Sequence, residues 1–353
     1  MVRRRRVVAG RAPRRAPGTR GAVRDDGGEP LSGVLVVRPS SLGDIVHALA
    51  LVADIHAHDP ALPVDWVAEE AFVPLVRLDP RIRCVIPMAF RRWRATPLAR
   101  QTRREFAEFR TMLRTQSYDV ILDLQEQVKG ALVARMARGR RHGFDRASIR
   151  EPLATWLDDV HHRIPRDQHF IDKARALAAA ALGYAVAGPP RWQFAPPAAV
   201  SAMPAGPYAL VFHGTSRDDK LWPEDRWRGL LAHFAQAGLT ALLPWGSSSE
   251  EERSRRLSAT APGTVVPARQ TLPELASLAR NAEVVVGVDT GLTHLAAALG
   301  TPTVAVFTET DAFLAGVARA GAHAADVGGN GAVPQLADVI AATGRVVRHA
   351  PRC

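Results

Sequence analysis

Short valine-rich apolar runs recur along this chain, each followed by an amphipathic stretch, and no other feature limits the fold so narrowly. In the first half, "GVLVVR" (33–38), "VDWVAEE" (64–70), "IRCVIPM" (82–88) and "YDVILDLQ" (118–125) read as strands. Helical stretches lie between them: "GDIVHALALVADIHAH", the short "FVPLVRL", a polar helix over about 96–115, and another around 128–138. Strands that are apolar on both faces and alternate with helices predict a parallel sheet covered on both sides. A Pro-, Gly- and Ala-rich stretch over 187–207 then interrupts the pattern, as an interdomain linker does. The alternation restarts with "YALVFHG" (208–214), "TALLPWG" (240–246), "EVVVGVD" (283–289) and "TPTVAVF" (301–307). The chain therefore reads as α/β, with two Rossmann-like domains facing a central cleft. The expected N-terminal domain spans 31–190, the linker 191–206 and the C-terminal domain 207–353. The last helix is a candidate to pack back on the N-terminal domain.

Charge and composition narrow the class. The net charge is +11, and residues 1–30 hold nine arginines against Asp25, Asp26 and Glu29. This segment has no apolar core of a secretory signal, so a disordered tail or a misassigned start is expected. Nucleic-acid binding through such a tail competes with the plainer reading of a solvated terminus, and no nucleic-acid partner is expected. Cys84 and Cys353 are the chain's two cysteines, which excludes a disulfide framework or a cysteine-ligated zinc site and suits a reducing cytosol. No run approaches the length of a membrane span.

Four motifs fall at carboxyl ends of strands, where ligands bind in open α/β sheets. The first is "RPSSLGDIVHALA" (38–50), in which Ser40, Ser41, Gly43 and Asp44 open a helix. Asp44 is either a capping charge favoured by the helix dipole or a general base at the mouth of a cleft. His47, one turn on, reads as a packing or hydrogen-bonding residue. The second is "VDTGLTHLAAALG", with Asp289, then Thr290, Gly291 and Leu292 at a helix start suited to a diphosphate. Thr290 serves equally well as an N-cap. The third, "HGTSRDDKLWPEDRW", offers Thr215, Ser216 and Lys220 to a phosphate; Lys129, Lys173 and Lys220 are the only lysines. In the fourth, "LPWGSSSEEERSRRL", Ser247 and Glu250 have capping-box spacing, while Glu250 is also placed to accept from ribose hydroxyls. The chain has neither an Asp-x-Asp pair nor a Walker loop, so no metal site and no cofactor are expected.

Taken together, "VLVVRPSSLGDIVHALA", "VDWVAEEAF", "FRRWR", "REPLA", "HGTSRDDKLWPEDRW" and "VDTGLTHLAAALGTP" resemble the lipopolysaccharide heptosyltransferases of glycosyltransferase family 9. The blocks are most similar to the subgroup that adds the first inner-core heptose. The resemblance implies a GT-B fold, a donor of ADP-L-glycero-D-manno-heptose and metal-independent, inverting transfer to Kdo2-lipid A. It implies Asp44 as base, and Thr215, Ser216, Lys220, Glu250, Asp289, Thr290, Gly291, Leu292 and His294 around the donor. On the acceptor side it implies Ser40, Ser41 and Gly43, with Arg91, Arg92, Arg94 and Arg150 presented to the anionic lipid. Such an enzyme would work at the cytoplasmic face, held to the anionic inner-membrane surface. A later transferase of the same family, acting on a heptose hydroxyl, is the alternative. Two departures stand out: Arg38 replaces a lysine, and Thr308-Glu309-Thr310-Asp311 replaces Gly-Pro-Thr-Asp, which puts the loop beside the donor in question.

Overall fold

The computed structural model describes residues 31–195, 204, 206–215 and 217–349; the arginine-rich tail, most of the linker and Ser216 lie outside the described residues. The first half runs β1 (Val34–Val37), α1 (Leu42–His58), β2 (Val64–Glu69), α2 (Val73–Val76), β3 (Ile82–Met88) and α3 (Phe90–Ala95). It continues through α4 (Arg100–Leu113), β4 (Ser117–Asp123), α5 (Val128–Met136), β5 (Arg138–Phe144), β6 (Val160–His162) and α6 (Phe170–Leu182). The second half runs β7 (Tyr208–Phe212), α7 (Glu224–Gln236), β8 (Thr240–Leu242), α8 (Ser248–Ser258), β9 (Thr264–Val265) and α9 (Leu272–Asn281). Then follow β10 (Val284–Val288), α10 (Gly291–Ala298), β11 (Thr303–Phe307), α11 (Ala312–Ala315), β12 (Ala324–Gly328) and α12 (Leu336–Arg348).

Both sheets are parallel and have the same winding. Their orders are β3-β2-β1-β4-β5-β6 and β12-β11-β10-β7-β8-β9. In each, the chain reverses direction beside its first strand, between β1 and β4 and between β7 and β10. Loops at such a switch point splay apart and leave a crevice at the strands' carboxyl ends. That geometry puts segments 38–41 and 124–127 around one crevice, and 213–220 and 289–290 around the other. Every residue of β1, β7, β10 and β11 is buried, which explains why those strands read so plainly from the sequence.

The two halves share an apolar seam. Ala276 of α9 and Leu295 of α10 sit within the core built mainly by β1, β2, α1 and α6, and α1 packs on α10 as α2 does on α9. The first residues of the linker bind this seam: Trp192 Nε1 donates to Val46 O at 2.8 Å and Ala195 N to Leu78 O at 2.7 Å. The last helix departs from the expectation that it would pack on the N-terminal domain. The helix α12 lies on its own sheet, against α7, β10, β11 and β12, because Val339, Ala342 and Val346 form an apolar stripe that completes the C-terminal core.

At the end of β4, Asp123 is fully buried. Its Oδ1 accepts from Gln125 N at 2.9 Å, and among the described residues Oδ2 has no partner. Burial, with Asp158 nearby, pushes its carboxyl up to about 8. In the unfolded chain the same group ionises near pH 4. Its share of stability is therefore full below about pH 4 and is lost as the pH rises toward 8. Asp123→Asn is expected to melt like the wild type at pH 4 and several degrees higher at pH 8. Thermal unfolding at the two pH values checks this.

Candidate active site

The first crevice is built by the turn after β1. Ser41 caps α1, and its N–H and hydroxyl donate to Asp44 Oδ2 at 2.9 and 2.7 Å. The guanidinium of Arg38 meets Asp44 Oδ1 at 2.7 Å. It also donates to Leu124 O, which fixes it between the turns after β1 and β4. Burial disfavours the ionised carboxyl, but Arg38 and the two Ser41 hydrogen bonds outweigh it and hold Asp44 at about 2. Asp44 is thus both a capping residue and an ionised group at a cavity wall.

That cavity holds about 250 Å³ and is lined by Arg38, Asp44, Gln125, Arg150, Arg166 and Lys173. Lys173 is buried, pairs with Glu126 at 2.5 Å, donates to Ser148 O at 3.0 Å and lies 4.5 Å over the Phe144 ring. A second cleft of about 150 Å³ opens on the other side of Ser40, with Arg91, Arg94 and Lys129 on its walls. Ser40 N faces Gln125 Oε1 at 3.4 Å between the two. Arg92 does not join them. It is held by Glu70 at 3.0 Å and Glu105 at 2.6 Å. On a helix, positions 91 and 94 share a face and 92 does not; the expectation for three equivalent arginines ignored that rotation.

The second crevice is centred on Asp289. Its Oδ2 receives Lys220 Nζ at 2.6 Å and the Thr310 hydroxyl at 2.7 Å, and its Oδ1 faces His294 Nε2 at 3.2 Å. Burial opposes ionisation of Asp289, but His294, Lys220 and Thr310 together pull its carboxyl far below the usual range. Thr215 donates to Asp289 O at 3.3 Å. Thr290 is the N-cap residue of α10 but makes no side-chain capping bond, so the N–H groups of Gly291 and Leu292 have no acceptor within the helix. Glu250 closes the capping box of α8, accepting from Gly246 N at 2.7 Å and Ser247 N at 3.1 Å, and lies against Gly214. The altered loop is braced against the lysine: buried Thr308 donates to Asp219 O at 2.8 Å, in the 3-10 turn that carries Lys220.

The crevices meet where α1 and α10 start. A Cβ on Gly43 would lie 3.4 Å from Gly291 Cα, so backbone touches backbone there. Four residues on from Gly43 and three on from Gly291, His47 Nε2 lies 3.3 Å from His294 Nδ1, the rings edge to face at 4.6 Å. A carboxylate accepts only, so His294 Nε2 donates to Asp289 Oδ1. Its Nδ1 shares a hydrogen bond with His47 Nε2. Burial, with His294 and His169 alongside, holds His47 well below its ordinary value and neutral. A hydrogen-bonded path thus runs from His47 of α1 through His294 to Asp289.

Of the expected residues, the fold gathers Ser40, Ser41, Gly43, Asp44 and Arg150 in one crevice, with Arg91 and Arg94 in the adjoining cleft. It gathers Thr215, Lys220, Asp289, Thr290, Gly291, Leu292 and His294 in the other, with Glu250 at its edge. Sequence reasoning does not single out Arg166, Lys173 or Thr310, and it marks Arg38 only for its charge. For Lys173 the rarity of lysine in the chain was the available signal. Among the described residues no three His, Cys, Asp or Glu side chains converge to hold a metal.

Comparison with known proteins gives consistent results. Residues 106–330 match glycosyltransferase family 9 (heptosyltransferase). Lipopolysaccharide heptosyltransferase 1 of Escherichia coli K12 is 39% identical over 289 residues, 80% of this chain and 90% of that protein. The Pseudomonas aeruginosa protein of the same name is 37% identical over 285 residues, 79% of each. The structures of E. coli heptosyltransferase WaaC with ADP and with ADP-2-deoxy-2-fluoro heptose superpose with TM-scores of 0.79 and 0.76, at 34% identity. Each match covers 90% of this chain and 99% of the other.

Proposed function

This chain belongs to glycosyltransferase family 9 and is a GT-B heptosyltransferase of lipopolysaccharide core synthesis, and we propose that it moves heptose from ADP-L-glycero-D-manno-heptose to Kdo of Kdo2-lipid A by metal-free, inverting displacement. The observation that carries this reading is the abutment of the Asp44 turn on the start of α10, which brings a carboxylate to the edge of a diphosphate cradle. Asp44 takes the proton of a Kdo hydroxyl. The hydroxyl oxygen then bonds to the anomeric carbon, and the bond from that carbon to the β-phosphate oxygen breaks with its electron pair. The departing ADP gains negative charge, which Lys220 and the helix-start amides of Gly291 and Leu292 are placed to stabilise.

A carboxyl held at about 2 is a weak base, and general-base catalysis works best nearer the operating pH. The acceptor supplies the remedy. Its own carboxylate, entering the cavity among Arg38, Arg150, Arg166 and Lys173, competes for the Arg38 guanidinium. Bidentate arginine–carboxylate pairing favours that exchange, and Asp44, relieved of one cation, becomes more basic as the acceptor hydroxyl arrives. The two cationic clefts on either side of Ser40 suit an acceptor with several anionic groups. Donor binding must in turn draw Lys220 from Asp289 toward phosphate, leaving Asp289 to accept from sugar hydroxyls. Work at the cytoplasmic face of the inner membrane follows from this acceptor; no helix among the described residues is long and apolar enough to cross a membrane.

The test is mass spectrometry of Kdo2-lipid A incubated with ADP-heptose and the protein, with and without EDTA. One added heptose at equal rates in both samples is expected. Loss of turnover in EDTA sinks the metal-free mechanism. Addition only to an acceptor that already carries heptose assigns the chain to a later transferase.

A further inference from the structure

Between Arg150 and β6 lies a 3-10 helix, Pro152–Leu157. Side chains three apart eclipse one another in such a helix, so Leu153 and Trp156 stand side by side; they are 62% and 77% exposed. This helix packs on α5, where Leu132 is 51% exposed and Arg135 points outward beyond it. Three large apolar side chains thus stand in water on adjacent elements, an arrangement that usually marks an interaction surface.

The surrounding charge is one-sided. Residues 138–166 hold seven arginines against four acidic residues. The acids are already engaged: Asp158 is buried, Glu151 accepts from Val128 N, Asp145 from Ser148, and the exposed Asp159 pairs with Arg141. Arg146, Arg150, Arg163 and Arg166 are exposed. The patch is also continuous with the acceptor cavity. Arg150 and Arg166 line that cavity, Arg166 donates to Ile149 O at 2.7 Å, and Arg150 precedes the 3-10 helix by two residues.

We propose that Leu153, Trp156 and Leu132 enter the head-group layer of an anionic bilayer, with Arg146 and Arg163 on its phosphates, so that this face docks the protein on the membrane beside its acceptor cavity. The inference deepens the acceptor reading and rests on it. An acceptor whose sugar must reach Asp44 while its acyl chains stay in lipid can be served only by a docking face next to the cavity mouth. Tryptophan and leucine with flanking arginine is the composition that lies in such an interface.

The experiment compares the full chain with the Leu153→Ser/Trp156→Ser double variant and with Val347→Ser, an exposed apolar control on α12. Partition onto phosphatidylcholine vesicles containing phosphatidylglycerol is measured at high salt, which screens charge-only binding by the arginine-rich tail. We expect the double variant to bind about tenfold more weakly and the control to bind as the wild type does. Transfer to acceptor embedded in the same vesicles should fall in parallel, while transfer to acceptor stripped of its acyl chains stays at the wild-type rate. Unchanged vesicle binding by the double variant overturns the proposal. So does an equal loss with both acceptors, which would put these residues in the head-group site. Wild-type self-association abolished by the double substitution would make the face an interface between copies, again overturning it. If the wild type transfers to neither acceptor, the functional reading fails, and vesicle partition still decides the docking face.

Discussion

Replacing Asp44 with asparagine is expected to lower kcat by about 10²–10⁴, the usual worth of a general base, and to leave the affinity for ADP-heptose near wild type. Asparagine is close in size and keeps an acceptor for the Ser41 N–H and hydroxyl that now bond Asp44 Oδ2, so the cap of α1 persists. What is lost is the negative charge facing Arg38 and the capacity to take a proton. In the proposed complex the donor lies against Lys220, Asp289 and the start of α10, none of which the substitution touches. Stopped assays with saturating donor, together with calorimetric binding of ADP, separate the two effects. Wild-type turnover by the asparagine variant would remove Asp44 from the chemistry and leave it the capping role its geometry also supports.

Gly291→Ala is expected to cost about 10²-fold in transfer without unfolding either half. A Cβ at this position would come within 2.4 Å of Leu42 Cδ2, 2.6 Å of Gly43 N and 2.8 Å of Leu42 Cβ. All belong to the opposite half of the molecule; the Leu42 methyl can turn aside, but Gly43 N is backbone and cannot. The added methyl therefore separates α1 from α10. Displacements of about 1 Å between reacting groups are enough for losses of this size. The helix itself gains from alanine, and the amide of residue 291 remains, so melting temperature and ADP affinity should hold. Small-angle scattering should report a larger radius of gyration than for the wild type. Unaltered kcat would mean that catalysis does not require the contact between the two turns.

Reading the fold from the sequence succeeded where burial is complete and failed at the margins. The strands β1, β7, β10 and β11 are buried throughout, so their sequences carry unbroken apolar runs. By contrast, β5 has the sequence RGRRHGF, with its first three residues exposed, and β6 is three residues of mixed exposure. Both are held by pairing with neighbours, which leaves no hydrophobic signature. The same limit applies to the site. Asp44 and Thr290 sit at strand-to-helix turns whose local chemistry is visible in a few residues. Lys220 and Asp289, 69 positions apart, share no local signal at all.

The order of strands and helices, the two-domain division and the loops that carry the chemistry were fixed by local pattern, because hydrophobic period and turn residues act over a few positions. Which arginines face the clefts, which carboxylate is already occupied, and the contact of α1 with α10 were decided only by tertiary structure. The first depends on 90–95 being a helix, whose rotation of about 100° per residue parts Arg92 from Arg91 and Arg94; the others depend on approach between distant segments, which leaves no trace in sequence spacing.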